Sequence, residues 1–383
     1  MLKLSVGWLQ LKRERARLFV AILGITFAAV LVFMQLGFRD AMFDSAVRYH
    51  RIWIYDIAMV SPQAATLIKP HSFTRRRLHQ ARAVEGVASV SAVHTLLVRW
   101  KQPDTGNTRD IFVLGIDPDH EAIDLPEVNR QRQLLKVRDT YLFDRHSRPE
   151  FGAVAKAVGK YGRAAFELNN LTIEVRGLFT LGSSFGIDGS LVSSEENILR
   201  LDSRRGRGEV DIGLVRLKPG ADTDAVAERL RQYLPGDVAV YTRPAFIQRE
   251  LAYWNDSTTI GYVFNFGIVV GLVVGAVIVY QILHADVSDH LPQYATLKAM
   301  GYSNLSLAGI VGQQAFVLAM LGYTLGAVLS LFLYRVAGEA TMIKLAMSPG
   351  RAVTVLGLTI AMCLASGLLA LRKVWATDPA DVF

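Results

Sequence analysis

The sequence predicts an α-helical membrane protein: four transmembrane helices, with a large α+β extracytoplasmic domain between the first and second. Three observations carry this. Of 383 residues, 51% are hydrophobic and only 20% are charged, and the charges are excluded from four long windows. Two of those windows, Thr258 to Ala285 and Ala299 to Tyr334, contain no Asp, Glu, Lys or Arg and flank a short polar stretch, DVSDHLPQYATLKAMGYSN (286–304). Between the first and second windows lies a long stretch of water-soluble character, 39–257, large enough for one sizeable domain or two small ones. An apolar run of more than about 18 residues reads as a membrane span, because the hydrocarbon core is about 30 Å thick and a helix rises about 1.5 Å per residue.

In chain order, residues 1–17 carry Lys3, Lys12, Arg13, Arg15 and Arg17 against a single Glu14, with Trp8 and several leucines suited to an interfacial helix. The first span is 18–38. It is longer than a signal-peptide core and no small-x-small cleavage site follows, so it reads as an uncleaved anchor. The basic residues before it place the N-terminus in the cytoplasm. The domain 39–257 opens helically and turns strand-like around Ile52 to Val60. Candidate strands follow at Val87–Val93, Thr95–Trp100 and Ile111–Gly115, with a second β-rich patch from Leu171 to Val192. Val210–Leu217, a helix Asp222–Leu234 and Val238–Tyr241 read as a β-α-β unit. Phe246–Trp254 reads as a helix leading into the membrane.

Spans two to four are 258–285, 305–334 and 352–371, and the last is ended by Arg372 and Lys373. Four spans return the tail, 372–383, to the cytoplasm. The short outer loop, 335–351, carries Arg335, Lys344 and Arg351 against Glu339, so the orientation rests on the N-terminal charges. The inner turn, 286–304, holds a short helix: Pro292 near its first turn, the helix formers YATLKAM, and Gly301 as C-cap.

Several motifs have bland readings. Gly267, Gly271 and Gly275 in span two, and Gly322 and Gly326 in span three, repeat at four-residue spacing, which lets helices approach closely in lipid. They serve either a dimer or the subunit's own bundle. Gly182-Ser183-Ser184-Phe185-Gly186 fits the G-x-S-x-G nucleophile elbow, but another glycine turn follows where the elbow needs a helix, so it reads as a loop. Gly159-Lys160 lacks P-loop spacing, and Tyr161 stands where a Ser or Thr would touch magnesium. Asp286, Asp289 and His290 read as a solvated, capped helix start, not a metal cluster. Arg204, Arg205 and Arg207 read as a solvated basic loop. The net charge of +8 lies beside spans or is scattered, without the aromatic-interleaved patch of a nucleic-acid binder. The single cysteine, Cys363, excludes an internal disulfide. No residues read as catalytic or metal-binding.

Over essentially its full length the chain resembles the MacB/FtsX/Lol class of ABC transporter permeases, and within it the DevC branch of glycolipid exporters. The resemblance is carried by FMQLGFRDAMFDSAVR (33–48), DRHSRPEFG (144–152), LFTLGSSFGIDGSL (178–191), VIVYQILHADVSDHLPQYATLKAMGY (277–302) and DPADVF (378–383). It implies a homodimeric inner-membrane permease that binds two copies of a separate ATPase, which alone carries ATP and magnesium. Asp286, Asp289, His290, Tyr294, Thr296, Leu297, Lys298, Met300, Gly301 and Tyr302 would form the coupling helix docked on that ATPase. Motion would pass through spans one and two and their stalks, 38–54 and 246–254, to the external domain. There it would drive a lipid or other amphiphile through a periplasmic adaptor and a TolC-like outer-membrane channel. The rival expectation is an FtsX-like regulator that activates a cell-wall hydrolase without export.

Overall fold

The computed structural model describes residues 15–376 apart from 185, 258 and 344. The basic leader up to residue 14, Phe185, Lys344 and the DPADVF tail therefore lie outside the described residues. Two compact units form: Met1–Ala41 with Thr259–Phe383, and Met42–Thr258.

The first unit contains four helices long and apolar enough to cross a membrane: Arg15–Ala46, Gly261–Asp289, Asn304–Thr341 and Pro349–Arg372. Each runs past the apolar window that reveals it. The first is an unbroken helix of 32 residues, about 48 Å long at the usual rise, against a hydrocarbon core of about 30 Å. The second span's helix ends at Asp289. Asp286 to Asp289 are thus its last turn, not the start of the short helix, which is Leu291–Ala299 with His290 at its N-cap and Pro292 in its first turn. The short helix ends in a Schellman motif. Gly301 takes the left-handed backbone at φ +90°, its N–H reaches the Lys298 carbonyl at 3.0 Å, and the Tyr302 N–H reaches the Leu297 carbonyl at 3.1 Å. Ser303 then caps the third span, its hydroxyl accepting from the Ser306 N–H.

The second unit is α+β. Its strands are β1 (Ile57–Val60), β2 (Phe73–Thr74), β3 (Val87–Lys101), β4 (Thr108–Ile116), β5 (Thr140–Asp144), β6 (Ala164–Leu168), β7 (Leu171–Phe179), β8 (Ser190–Ser194), β9 (Glu209–Val210), β10 (Ile212–Leu217) and β11 (Ala239–Thr242). Nine of them form one sheet, ordered β11-β1-β10-β3-β4-β8-β5-β7-β6, and β6 pairs back onto β3 through Trp100↔Leu168 and Lys101↔Glu167. That return closes six strands into a barrel. Its interior is filled by Trp100, Phe143, Phe166, Leu168, Val175 and Leu191 among others.

The other half of β3 joins β10, β1 and β11 in an antiparallel sheet covered on both faces. Ile57 and Met59 face a cluster with the helices Arg76–Arg82 and Thr223–Tyr233. Ala58 and Val60 face the cluster of Tyr49, Trp53 and Phe246. In the expected β-α-β unit, β10 and β11 do run in the same direction, but β1 lies between them and pairs antiparallel with both.

β3 is one strand of 15 residues, where the sequence reads as two. The pattern breaks at His94–Thr95 because β10 leaves off there and side chains replace the neighbouring strand. Asp211 Oδ2 accepts from the Thr95 N–H at 2.8 Å, and Arg205 donates to the Thr95 carbonyl at 2.9 Å. Arg205 is accordingly no solvated loop residue. It is mostly buried and ion-paired to Asp211 at 2.5 Å, while Arg204 stays exposed. Replacing Asp211 by Ala would leave the mostly buried Arg205 guanidinium with only a longer pair to Asp202, at 3.8 Å, and one strand N–H unsatisfied. We expect Asp211→Ala to cost about 3–5 kcal/mol, read as a lowered unfolding temperature of the purified chain. An unchanged midpoint would mean that the two halves of β3 hold without this clamp.

Candidate coupling site

The short helix Leu291–Ala299 has an inner side that is a footing. Tyr294 and Ala295 are buried, and Tyr294 sits in a cluster with Val287, Leu307, Val311 and Leu371, drawn from spans two, three and four. Leu291 and Leu297 pack against the same cluster. Burial, and after it the Asp286 charge, pushes the Tyr294 hydroxyl up to about 12, so the ring stays neutral and functions here as an apolar wedge.

The exposed apolar side chains lie just past the end of the helix, in the turn 300–305. Met300 is 63% exposed, Tyr302 51% and Leu305 83%. Thr296 is exposed and its hydroxyl donates back to the Pro292 carbonyl at 2.9 Å, while Lys298 lies in the last turn, where a cation complements the helix dipole. Of the residues expected to contact a partner, Met300 and Tyr302 are therefore surface, whereas Tyr294 and Leu297 belong to the footing.

Asp286 and His290 meet each other, and Asp289 turns to another partner. Asp286 is 6% exposed, and Gln314 Nε2 of the third span donates to its Oδ2 at 3.2 Å. The expectation of a solvated helix start is corrected by that burial. A carboxylate this deep is tolerated because a hydrogen-bond donor meets it. His290 Nδ1 lies 2.9 Å from the Asp286 carbonyl. Asp289 forms an ion pair with Arg17 at 2.5 Å, which puts the start of span one at the same end of the bundle as the short helix. Among the described residues no group of three or more His, Cys, Asp or Glu side chains converges on a metal position.

Span one is seated on glycines. A Cβ at Gly267 would meet Gln35 at 2.3 Å; at Gly271, Leu31 at 3.3 Å and Val32 at 3.5 Å; at Gly275, Ala28 at 2.6 Å and Met362 at 2.5 Å. From span three, a Cβ at Gly322 would meet Ile25 at 2.4 Å, and one at Gly326 would meet Ala29 at 2.8 Å. The Thr26 hydroxyl donates to the Gly322 carbonyl at 3.2 Å. Within the subunit, both glycine faces thus turn to the first span.

A second lock, at the opposite end, is not legible as such in the sequence. Arg351 is 8% exposed and is no outer-loop charge. Its guanidinium pairs with Asp40 of span one at 2.8 Å, and donates to the Tyr334 hydroxyl at 3.3 Å and the Ala346 carbonyl at 2.8 Å. Tyr334 in turn donates to the Phe33 carbonyl. An arginine just before an apolar window and an Asp just after another are the only sequence signals for it. Gln35 and Gln314, polar residues inside apolar windows, are clearer ones.

Within the second unit the two expected stalk segments are fastened together. His50 stands edge-on to Phe246 at 4.6 Å, and Arg243 donates to the Arg51 carbonyl at 3.2 Å. Trp254 Nε1 donates to Glu250 at 3.0 Å and the Leu67 N–H to the other Glu250 oxygen at 3.3 Å. Tyr49 reaches Ser190 on β8 at 2.5 Å. The G-x-S-x-G segment is a clamped loop. Arg48 donates to the Gly182 and Ser183 carbonyls at 3.0 and 2.6 Å, and Asp144 accepts from the Leu181 and Gly182 N–H groups. Ser184 is 2% exposed, and its position ahead of β8 gives it no following helix. Gly159 and Lys160 lie inside the helix Val154–Tyr161.

Two family models match the chain: the MacB-like periplasmic core domain over residues 18–233, and the FtsX-like permease C-terminal over residues 265–379. Among solved structures, the periplasmic region of MacB from Actinobacillus actinomycetemcomitans aligns at 10% identity and TM-score 0.34, covering 53% of this chain and 94% of that one. The extracellular domain of the noncanonic ABC-type transporter YknZ from Gram-positive bacteria aligns at 15% identity and TM-score 0.33, covering 49% and 99%. No curated protein matches the sequence.

The glycine contacts generate a paired prediction. Gly322→Leu places a side chain against Ile25 and its backbone, an overpacking of about 1–3 kcal/mol or more, and should lower the unfolding temperature in detergent. Gly309→Leu, in the same span with nothing within 4 Å of its Cβ position, should leave it unchanged. Equal midpoints for the two variants would contradict the seating of span one.

Proposed function

The chain belongs to the MacB/FtsX class of ABC transporter permeases, and on that premise we propose that it is the membrane subunit of a tripartite exporter powered by a separate ATPase. A homodimer would carry two ATPase subunits, each docked under one short helix. The external domain would engage a periplasmic adaptor, and through it a TolC-like duct, to expel a glycolipid or another amphiphile. The N- and C-termini would face the cytoplasm. ATP and magnesium would be bound by the ATPase.

One observation carries the reading: an exposed apolar turn, Met300 to Leu305, on a helix whose other side is wedged by Tyr294 into three spans. An apolar surface of this kind at the polar end of a bundle is suited to a protein partner. The same end holds the Arg17–Asp289 pair, and hence the start of the 32-residue helix that continues to Ala46. Charged residues stand only near the ends of the apolar helices, which favours a machine that transmits motion over one with a polar pathway through its spans. A rigid helix transmits a shift when a ligand favours one of two arrangements.

The test is ATP turnover in lipid nanodiscs, with the chain co-expressed with the ATPase encoded nearest to it and the neighbouring adaptor then added. Turnover that needs this chain and changes with adaptor is the expected outcome. Met300→Asp should weaken ATPase capture by about 2 kcal/mol or more, roughly thirtyfold, without moving the unfolding temperature. Tyr294→Ala should lower that temperature. A stable ATPase complex indifferent to the adaptor would favour the regulator that activates a cell-wall hydrolase. Undiminished capture by Met300→Asp would remove the short helix as the docking surface.

A further inference from the structure

A crevice of about 660 Å³ opens between spans two and four, lined by Ala276, Val277, Tyr280, His284, Ser366, Leu369 and Arg372. That volume lies within the range of ligand pockets, about 300–1,000 Å³. Its composition changes along its length. The half toward the bilayer centre is apolar, with Val277 49% and Leu369 47% exposed. The half toward the short-helix end is polar, with His284 and Tyr280 stacked at 5.4 Å and the exposed Arg372 a turn and a half beyond Ser366.

The polar half is unsatisfied. Arg372 has no ion pair or hydrogen bond among the described residues, and the His284 Nδ1 atom is buried without a partner. Ser366 is already spent, since its hydroxyl donates to the Ala276 carbonyl at 2.9 Å. An unpaired cation above an apolar slot, at the depth where headgroups lie, calls for an anionic amphiphile. Intramembrane basic pockets of this kind match phospholipid headgroups. A planar guanidinium matches a phosphate with two parallel hydrogen bonds.

We propose that this crevice binds one phospholipid of net negative charge from the leaflet at the short-helix end. Its phosphate sits on Arg372, and an acyl chain lies along Ala276, Val277 and Leu369. The lipid would brace the last turns of spans two and four beside the cluster that holds Tyr294. It is a resident of the site, separate from any exported cargo.

The experiment is thermal unfolding of the full chain in a neutral detergent, titrated with phosphatidylglycerol, phosphatidylcholine or inorganic phosphate. Phosphatidylglycerol should stabilise at a mole fraction about fivefold lower than phosphatidylcholine, the preference one arginine gives at an anionic surface, and inorganic phosphate should not stabilise. Arg372→Gln should abolish the preference. Arg335→Gln, an exposed arginine paired to Glu339 near the end of span three, should keep it. Equal effects of the two lipids, a preference that survives in Arg372→Gln, or stabilisation by free phosphate would overturn the proposal. So would a disulfide-linked dimer of Val277→Cys in native membranes, which would show a second copy of the chain covering the crevice.

Discussion

The membrane unit depends on how closely the first span is allowed to approach its neighbours. Inside a bilayer there is no hydrophobic drive to bring helices together, because lipid tails are as apolar as leucine. Association then rests on van der Waals contact and on interhelical hydrogen bonds. Gly267, Gly271 and Gly275 on one side and Gly322 and Gly326 on the other remove the side chains that would hold span one away. The short distances to Ile25, Ala28, Ala29 and Gln35 follow from that removal. Once seated, the helix is held at each end by a charge pair, Arg17–Asp289 and Asp40–Arg351. The two pairs are unequal. The first is half exposed and worth little by itself. The second has a buried guanidinium with several hydrogen bonds, so removing Asp40, itself 40% exposed, would strand the Arg351 charge. Span one is thus anchored more firmly at the Asp40 end than at the Arg17 end.

The external unit solves a different problem, which is to join two architectures without a hinge. β3 does this by serving as an edge of the closed barrel in its second half and as a member of the antiparallel sheet in its first. At the changeover β3 keeps β4 on one edge and has no strand on the other, and there Asp211 supplies the acceptor and Arg205 the donor that a neighbour would have provided. The helices around Tyr49, His50 and Phe246 pack on the sheet face opposite the Arg76–Arg82 and Thr223–Tyr233 helices. A displacement of those stalk residues would therefore load the sheet, and through β3 the barrel, without needing a separate linker.

The spans and the α+β class were legible because charge exclusion and β-branched alternation are local signals. Element ends were less so, since distant partners set them. Asp40 and Asp286 look like the ends of apolar windows, yet the helices continue through them because Arg351 and Gln314, far along the chain, meet their carboxylates. The continuity of β3 through His94 and Thr95 is invisible for the same reason. The G-x-S-x-G pattern is identical locally in an enzyme and in a clamped loop, and what distinguishes them here is Arg48, more than a hundred residues away. In the short helix, the sequence shows which residues are apolar but not which are spoken for. Tyr294 and Tyr302 are the same residue type, eight positions apart, and one is buried while the other faces out.

That division within one short helix is what the proposed coupling requires. A lever transmits displacement only if its attachment is stiffer than its contact with whatever moves it. Tyr294, Ala295, Leu291 and Leu297 root the helix in a cluster shared by three spans. The Schellman turn at Gly301 fixes where the chain leaves it. Met300, Tyr302 and Leu305 remain free to bind and release. Were the buried and exposed residues exchanged, a partner pressing on the turn would peel it from the bundle before moving any span. The order of anchoring is also the order of the chain: footing first, then the glycine-capped exit, then the exposed surface. The third span begins at Asn304, so its first turn presents Leu305 alongside that surface. Under the proposed coupling, a push on the turn would reach span three directly and span two through His290 and Asp286. Span one would be loaded through the glycine faces of its two neighbours and through the Arg17–Asp289 pair.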